Sequence, residues 1–408
     1  MRRLGFVVSL ACFALAWPAI ALDWPRWRGP EMNGISKEKS WTTAWPKEGP
    51  KQLWKANVGM GFSSVSVSEG SLYTMGNKDD EDTVYCFDAT TGKEVWKHTY
   101  EEPLDPRYYE GGTSCTPTVD GETVYTLSRK GKLFAFAADS GKIRWQQDIA
   151  KEHGLKIPEW GFAGATLVEG DLLILNAGTH GLAVKKANGT LAWTTGKDSS
   201  GYATAVPFES KGTRALVVFG WRTLAAVTLK DGKVLWELPW KTEYDVNAAD
   251  PIVTGDQMFV SSGYRKGGAL LKLNGQPKTV WASQNMHNQL NSSVLIDGHL
   301  YGISGQSGHG ADLRCVELAT AKVLWTEKAA GFGALTAADG KLIVLSEKGE
   351  LIVCVAKPEK FEALARAQVL GGKCWTVPVL SNGRIYCRNV QGNLVCQDVA
   401  EKQIAANR

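Results

Sequence analysis

Several motifs that mark enzymes and cofactor proteins are missing from this sequence. It has no pair of adjacent cysteines, no C-x-x-C-H haem motif, no G-x-S-x-G nucleophile elbow and no phosphate-binding loop. Its six histidines show no spacing typical of metal ligands. The sequence therefore gives no support to a haem protein, a serine hydrolase, a nucleotide-hydrolysing enzyme or a zinc enzyme.

The chain also has little net charge and one long apolar run. Residues 4–17 are largely apolar, follow Arg2 and Arg3, and precede Ala19-Ile20-Ala21, which fits a secretory cleavage site. We predict a signal peptide over residues 1–21 and an exported mature chain, periplasmic or extracellular. Without the two arginines, 44 of the 46 basic residues remain against 42 acidic ones, so charge gives no reason to expect nucleic acid as a partner. No later stretch predicts a transmembrane segment.

The mature chain consists of copies of a repeat that ends on tryptophan. In residues 84–96, Cys86 lies ten positions before Trp96 and Gly92 four positions before it. The same frame returns at Trp145, Trp193 and Trp236 and, more weakly, at Trp281 and Trp325, with gaps of 49, 48, 43, 45 and 44 residues. A period in this range is typical of propeller blades.

Each copy has the pattern of a β-hairpin, and a second hairpin precedes it. In residues 133–145, a turn around Gly141 connects two strands, and glycine supplies the positive φ that such turns need. Four short antiparallel strands per repeat make one blade. We therefore predict an all-β, eight-bladed β-propeller of four-stranded antiparallel blades. Seven blades are complete, and the eighth has three C-terminal strands closed by an N-terminal strand that contains Trp54.

The repeated frame small-x-Asp-x-x-x-Gly-Lys-x-x-Trp resembles the tryptophan-docking repeat of the pyrroloquinoline-quinone (PQQ) type propellers, over nearly the whole mature chain. In that family the tryptophan of one blade stacks on the next blade. The resemblance implies this docking role for Trp54, Trp96, Trp145, Trp193, Trp236, Trp281 and Trp325. It leaves function open, because the family contains PQQ-dependent dehydrogenases as well as cofactor-free scaffolds, among them the outer-membrane assembly lipoprotein.

The remaining segments flank or interrupt the propeller, which we place at residues 51–399. Residues 22–50 contain four tryptophans and four prolines without strand alternation, which predicts an extended arm lying on the blades with its indoles buried. Residues 400–408 form a C-terminal tail. Residues 359–368 have the one helical pattern of the chain and predict a helical insertion between blades seven and eight.

Seven of the eight cysteines follow the predicted signal peptide. Cys86, Cys315, Cys354 and Cys396 fall on the small-residue position of the repeat, which predicts buried, unpaired thiols. Cys374 and Cys387 lie on neighbouring strands of one blade and could pair. Cys115 has no evident partner.

The candidate binding site is formed by the segments that lead into the innermost strands and line one end of the channel, here called the mouth. They comprise residues 61–64, 108–112, 159–162, 202–204, 244–247, 287–291, 332–333 and 373–376. These segments are rich in aromatic, amide and glycine residues, which suit sugars, flat rings or peptides. We expect a ligand at Trp160, Tyr202, Asp245, Asn247, Asn291 and Trp375. Alternatively, these are blade-joining loops whose composition serves geometry alone.

The sequence assigns no catalytic residue and no metal ligand, since recurring acids such as Asp88 and Asp139 belong to repeat turns. We predict an exported, monomeric, non-catalytic propeller without a cofactor. It would act as a scaffold that binds a protein, a carbohydrate or a small molecule at one mouth. The alternative implied by the resemblance is a PQQ-dependent alcohol dehydrogenase of the polyol or polyvinyl-alcohol type, holding PQQ and a calcium ion bound by Glu, Asn and Asp. A third hypothesis is a carbohydrate-binding module.

Overall fold

The computed structural model describes residues 22–401, and within this range the chain is almost entirely β. The predicted signal peptide and residues 402–408 of the predicted tail lie outside the described residues. The helices of the described part are short, namely α1 (Ile149–His153) and a 3-10 turn at Lys328–Ala330. None of them is long and apolar enough to span a membrane.

The strands form eight sheets that are the blades of a propeller. The arm contributes β1 (Ile35–Ser36), and β2 (Lys51–Asn57) follows it. Blades one to four consist of β3–β6 (Ser66–Ser68, Ser71–Lys78, Glu81–Asp88, Glu94–Glu101), β7–β10 (Thr118–Asp120, Thr123–Leu127, Lys132–Ala137, Ile143–Asp148), β11–β14 (Leu167–Glu169, Leu172–Leu175, Leu182–Lys185, Leu191–Thr194) and β15–β18 (Val206–Ser210, Thr213–Phe219, Thr223–Thr228, Val234–Pro239).

The second half of the ring repeats this arrangement. Blades five to eight consist of β19–β22 (Ile252–Thr254, Gln257–Ser262, Gly267–Lys272, Lys278–Ser283), β23–β26 (Val294–Ile296, His299–Gly305, Ala311–Glu317, Val323–Glu327), β27–β30 (Gly333–Ala338, Lys341–Ser346, Glu350–Val355, Ala363–Gln368) and β31–β33 (Val379–Ser381, Arg384–Arg388, Asn393–Asp398) with β2. The eighth blade has the order β2-β33-β32-β31, and Trp54 of β2 faces Cys396 of β33. The predicted eight-bladed fold and its closure by an N-terminal strand are confirmed.

The arm crosses the end of the channel opposite the mouth. Trp24 forms a bridge with Val67 of blade one, and the carbonyl of Pro25 accepts a hydrogen bond from the Val119 N–H of blade two. Farther along, β1 adds to blade seven as a parallel fifth strand beside β27. Because the arm contacts blades on several sides of the channel, it closes this end of the ring.

The predicted helical insertion at residues 359–368 is wrong. Ala363–Gln368 forms β30, the outermost strand of blade seven, with Ala365 opposite Val353 of β29. This stretch is rich in residues that favour helices when isolated, but the ladder to β29 satisfies its backbone and overrides that preference.

Six of the seven repeat tryptophans donate an indole hydrogen bond to a carbonyl of the next blade, whereas Trp236 packs in a core cluster with Leu271 of blade five. The indole N–H of Trp54 donates to the Ala89 carbonyl of the next blade at 3.1 Å. A Cβ atom on Gly92 would lie 2.5 Å from the same indole, so glycine is needed there for the ring to lie flat. Equivalent indole-to-carbonyl bonds of 2.8–2.9 Å join Trp96 to Ala138, Trp145 to Lys186, Trp193 to Leu229, Trp281 to Leu318 and Trp325 to Lys357.

All seven cysteines in the described part of the chain are buried and unpaired. Cys374 and Cys387 pack in one core cluster between blades seven and eight without a bond. One assignment within the repeat is corrected. In blade seven, Val353 rather than Cys354 lies opposite Ala365, the residue in the tryptophan position, because the connection between β29 and β30 is two residues longer than the corresponding connection in blades one to six.

Candidate functional site at the channel mouth

A cavity of about 880 Å³ occupies the mouth end of the channel. Its rim is exposed to solvent, because Tyr108 is 99% exposed and Tyr244 is 57% exposed. Its lining comes from three sources: the segments that lead into the innermost strands, the turns between the second and third strands of blades five and six, and the arm. The site is therefore a cup set into the ring of blades.

One wall of the cup is a chain of aromatic rings. Trp375 stacks on Phe62 with ring centres 5.3 Å apart, and Phe62 packs against Tyr109 at 5.5 Å. Tyr109 and Tyr108 both approach Trp160 edge-on, at 5.7 and 5.8 Å. Edge-on and offset aromatic pairs of this kind add to the energy of burial, so the wall is a preformed surface.

The facing wall comes from blades four to six. Tyr244 meets Tyr264 edge-on at 5.0 Å, and the Tyr264 hydroxyl accepts a hydrogen bond from the Gln289 side chain at 3.0 Å. Burial raises the pKa of Tyr264. The side chains of Glu243 and Arg265 lie on the exposed rim beside this pair. The facing wall thus combines aromatic rings with charges of both signs.

The floor of the cup is built by the arm. Trp27 lines the cavity, and its indole N–H donates to Oδ2 of Asp250 at 2.7 Å. Arg28 lies beside the same carboxylate, with Nε 4.0 Å from Oδ2, and also donates to the Ser293 carbonyl at 2.9 Å. Burial lowers the pKa of Arg28 and raises that of Asp250, and their mutual attraction opposes both shifts. The pair joins the arm to blades five and six.

The six residues predicted from the sequence fall into two groups. Trp160, Tyr202, Asn291 and Trp375 line the cavity. Asp245 lies on the rim, where its carboxylate is bound by Arg222 at 2.8 Å. Asn247 is completely buried, and its amide donates to the Gly220 and Trp240 carbonyls, so it holds the loop rather than facing the cavity.

Several lining residues were not among those six. Tyr108, Tyr109 and Tyr244 belong to the predicted mouth segments and are aromatic, which was a usable signal. Tyr264 and Arg265 come from a hairpin turn inside blade five, and Trp27 comes from the arm. Their approach to the mouth depends on strand lengths and on the path of the arm, for which the sequence holds no periodic signal.

A calcium ion with PQQ, as the resemblance implies for the dehydrogenases, would need free carboxylate oxygens in the channel. The buried carboxylate here, Asp250, already accepts from Thr204 N at 2.8 Å through Oδ1 and from Trp27 through Oδ2. Glu347 Oε1 accepts from the Trp375 indole at 2.6 Å. Within residues 22–401, no three His, Cys, Asp or Glu side chains are grouped to hold a metal. These residues do not fit such a calcium site.

Fold and cavity together define a class of protein: an eight-bladed propeller with repeat tryptophans between its blades and a cup at one end of its channel. A family described as "Outer membrane protein assembly factor BamB" matches residues 39–148 and 80–327. The chain belongs to that family, and its predicted resemblance to the PQQ-type propellers is confirmed.

Individual relatives are distant. The outer membrane protein assembly factor BamB of Yersinia pestis is 20% identical over 356 residues, which cover 85% of this chain and 77% of the relative. The crystal structure of BamB from Moraxella catarrhalis superposes with a TM-score of 0.63 at 14% identity, covering 86% of this chain and 99% of the other. A quinohemoprotein alcohol dehydrogenase from Pseudomonas putida gives 0.71 at 12% identity, covering 93% and 81%. At these identities the two structures support the fold alone.

Proposed function

We propose that the protein is an exported, non-catalytic scaffold of the cell envelope that binds a partner protein at its mouth. The observation that carries this proposal is the exposed aromatic rim: Tyr108 and Tyr244 are presented to solvent above a cup whose buried acid, Asp250, is already held by the chain's own donors. Exposed tyrosines around a concave surface are typical of protein-binding sites. The relatives named as outer membrane protein assembly factors support a role among envelope proteins.

A site-specific photo-crosslinker tests this proposal. The crosslinking residue replaces Tyr244 in cells of the native organism, and a matched control places it at Val280, which is 51% exposed on the outer strand of blade five. We expect discrete protein adducts from position 244 and none of the same mass from position 280. Equal adducts from both positions, or none from position 244, would refute a protein site at the mouth.

A cofactor titration tests the competing function. PQQ and calcium are added to the purified protein, and the readouts are the absorbance of bound quinone and the alcohol-dependent reduction of a dye. We expect neither signal, because Thr204 and Trp27 already hold both oxygens of Asp250, the buried carboxylate of the cavity, and Trp375 donates to Glu347. Saturable quinone binding together with alcohol oxidation would refute the scaffold proposal and show that the protein is a PQQ-dependent dehydrogenase.

A further inference from the structure

We infer that the mouth binds an extended segment of its partner protein, one that places an apolar side chain in the cup. This inference rests on the proposed function and names the kind of partner surface that the site accepts. A folded domain would contact the rim, but a cavity of about 880 Å³ admits a few side chains only.

The backbone of the rim has positive φ at Tyr108 (52°), outside any hairpin turn. Tyr264 (54°) and Arg265 (59°) also have positive φ, but they are the central residues of the β20–β21 hairpin turn, whose geometry requires it. Left-handed backbone is unfavourable for residues with bulky side chains and persists at sites where it serves function. The 99% exposed ring of Tyr108 gains little packing in return. The strain is therefore consistent with a ring held ready for a partner.

The arm makes the cup a blind pocket. Trp27 lies at its floor and is fixed by the hydrogen bond to Asp250. A segment that enters from the mouth therefore cannot pass through the ring. It must end in the cup or turn back, which suits one anchoring side chain with extended backbone on either side.

The aromatic wall is poorly arranged for sugar chains. Sugar rings need an open aromatic face, but Trp375 is stacked on Phe62 and has the Lys373 ammonium 4.5 Å from its ring centre. The Arg129 guanidinium lies 5.5 Å from the centre of the Tyr109 ring. Because the chain covers these faces with its own groups, the cup offers ring edges and apolar contact, which suit an aliphatic or aromatic side chain.

The free charges at the rim are of opposite sign. Glu243 and Arg265 are exposed, line the cavity and form no ion pair within the described residues. A uniformly anionic surface would be attracted by Arg265 and repelled by Glu243. A polypeptide segment that carries both charges matches the rim better than nucleic acid or an anionic lipid surface.

The experiment uses a permanently unfolded protein as the probe. Fluorescein-labelled α-lactalbumin, reduced and carboxamidomethylated, is titrated with the purified mature protein, and fluorescence anisotropy reports binding. Native α-lactalbumin is the folded control. We expect saturable binding of the unfolded probe and none of the native one.

Two double variants test whether the probe binds at the cup. Tyr108→Ala with Tyr244→Ala removes the two exposed rings of the rim, and Val95→Ala with Val280→Ala removes two apolar side chains of matched exposure, 53% and 51%, from outer strands. We expect the first pair to raise the Kd of the unfolded probe at least about tenfold and the second pair to leave this Kd unchanged. Melting temperatures of both should stay near that of the parent, because all four side chains are exposed.

Three results would overturn the inference: no binding of the unfolded probe, equal binding by both variants, or displacement of the probe by maltoheptaose or chitohexaose. The photo-crosslinking experiment separates this failure from failure of the proposed function. Adducts at position 244 without binding of the unfolded probe would keep the protein scaffold and reject the extended segment.

Discussion

The backbone N–H of Thr42 in the arm donates a 2.8 Å hydrogen bond to the carbonyl of Val399 in blade eight. Val399 follows the third strand of its blade as Ala89 follows that of blade one, where the carbonyl accepts from the Trp54 indole. Blade seven has Ala365 in the place of a docking tryptophan. The arm therefore supplies the contact that blade seven lacks, and Trp41, 4% exposed, packs in that seam.

Because the arm supplies the contact that a docking tryptophan makes in other blades, the arm is part of the ring. Trp41→Ala should lower the free energy of unfolding by about 3–5 kcal/mol, the cost of removing a buried tryptophan, and Trp145→Ala should cost less, because its indole is only partly buried. Urea denaturation measures both. The matched control is Leu364→Ala on the outer strand of blade seven, where the side chain is 41% exposed and the cost should stay below about 1 kcal/mol. A cost for Trp41→Ala no larger than that of the control would contradict the seam role.

Closure of the eighth blade by β2 predicts the effect of truncation. A chain that begins after Asn57 loses β2, which leaves β33 as an open edge with Cys396 uncovered. Open edges pair with other chains, so this protein should aggregate or melt well below the mature form. Light scattering and calorimetry measure the two effects. A chain that begins at Gly49 keeps β2 and separates loss of the arm from loss of closure; equal behaviour of the two truncations would argue against a special role for β2.

The cysteines should behave as buried thiols. Unfolded, unreduced mature protein should titrate all seven with a thiol reagent, because none is paired. In the folded protein they should react slowly, since burial raises the pKa of Cys86 to about 11 and that of Cys374 to about 12. A titration of five thiols in urea would reveal one disulfide and place it at Cys374 and Cys387, the pair that shares a core cluster.

Asp82 makes stability depend on pH. It is 1% exposed, and burial raises its pKa to about 7, with Glu102 adding to the shift and the Asn77 hydrogen bond opposing it. The folded form binds this proton more tightly than the unfolded form, whose pKa is near 3.8. Its contribution to stability is therefore complete at low pH and is lost as pH rises through about 7.

The Asp82→Asn variant tests this dependence. Urea denaturation at pH 5, 6.5 and 8 should show that the variant, compared with the parent, becomes relatively more stable as pH rises. The oxygen of the introduced amide can still accept from the Asn77 side chain, so the local hydrogen bond is kept. Parallel stability curves for the two proteins would show that Asp82 does not titrate in this range.

Strain at the rim predicts a trade between stability and binding. Tyr108→Gly removes a side chain from left-handed backbone and should leave the free energy of unfolding equal or raise it by up to about 1 kcal/mol. The same change should weaken binding of the unfolded probe, because the exposed ring is lost. Asp297→Gly is a useful control, since its φ of 47° lies in a hairpin turn on the other side of blade six. A Tyr108→Gly protein that binds normally would show that the ring contributes nothing at the mouth.

Most of the fold could be predicted from the repeat. The spacing of tryptophans, glycines and small residues sets strand length and turn position, and closure followed from counting three strands before Val399. The arm was less accessible, because its contacts are made by single residues such as Trp27 and Arg28 without any period. The strand at Ala363–Gln368 was missed because its pairing partner outweighs its own composition. Four of six mouth residues line the cavity, and Asn247 shows why pattern alone falls short: an amide suits a ligand and a loop carbonyl equally well.

The position of the arm also orders the folding of the chain in time. Leu22 donates to the side chain of Asn382, 360 residues away, so the first described residue and the last blade complete each other. During synthesis the arm and β2 emerge before the blades and remain unpaired until blade eight follows. Ring closure is thus the step of longest sequence separation and the slowest to be reached. Until the ring closes, the unpaired edge of β2 can pair with other chains. A chaperone that covers this edge would therefore raise the yield of closed rings without binding the folded protein.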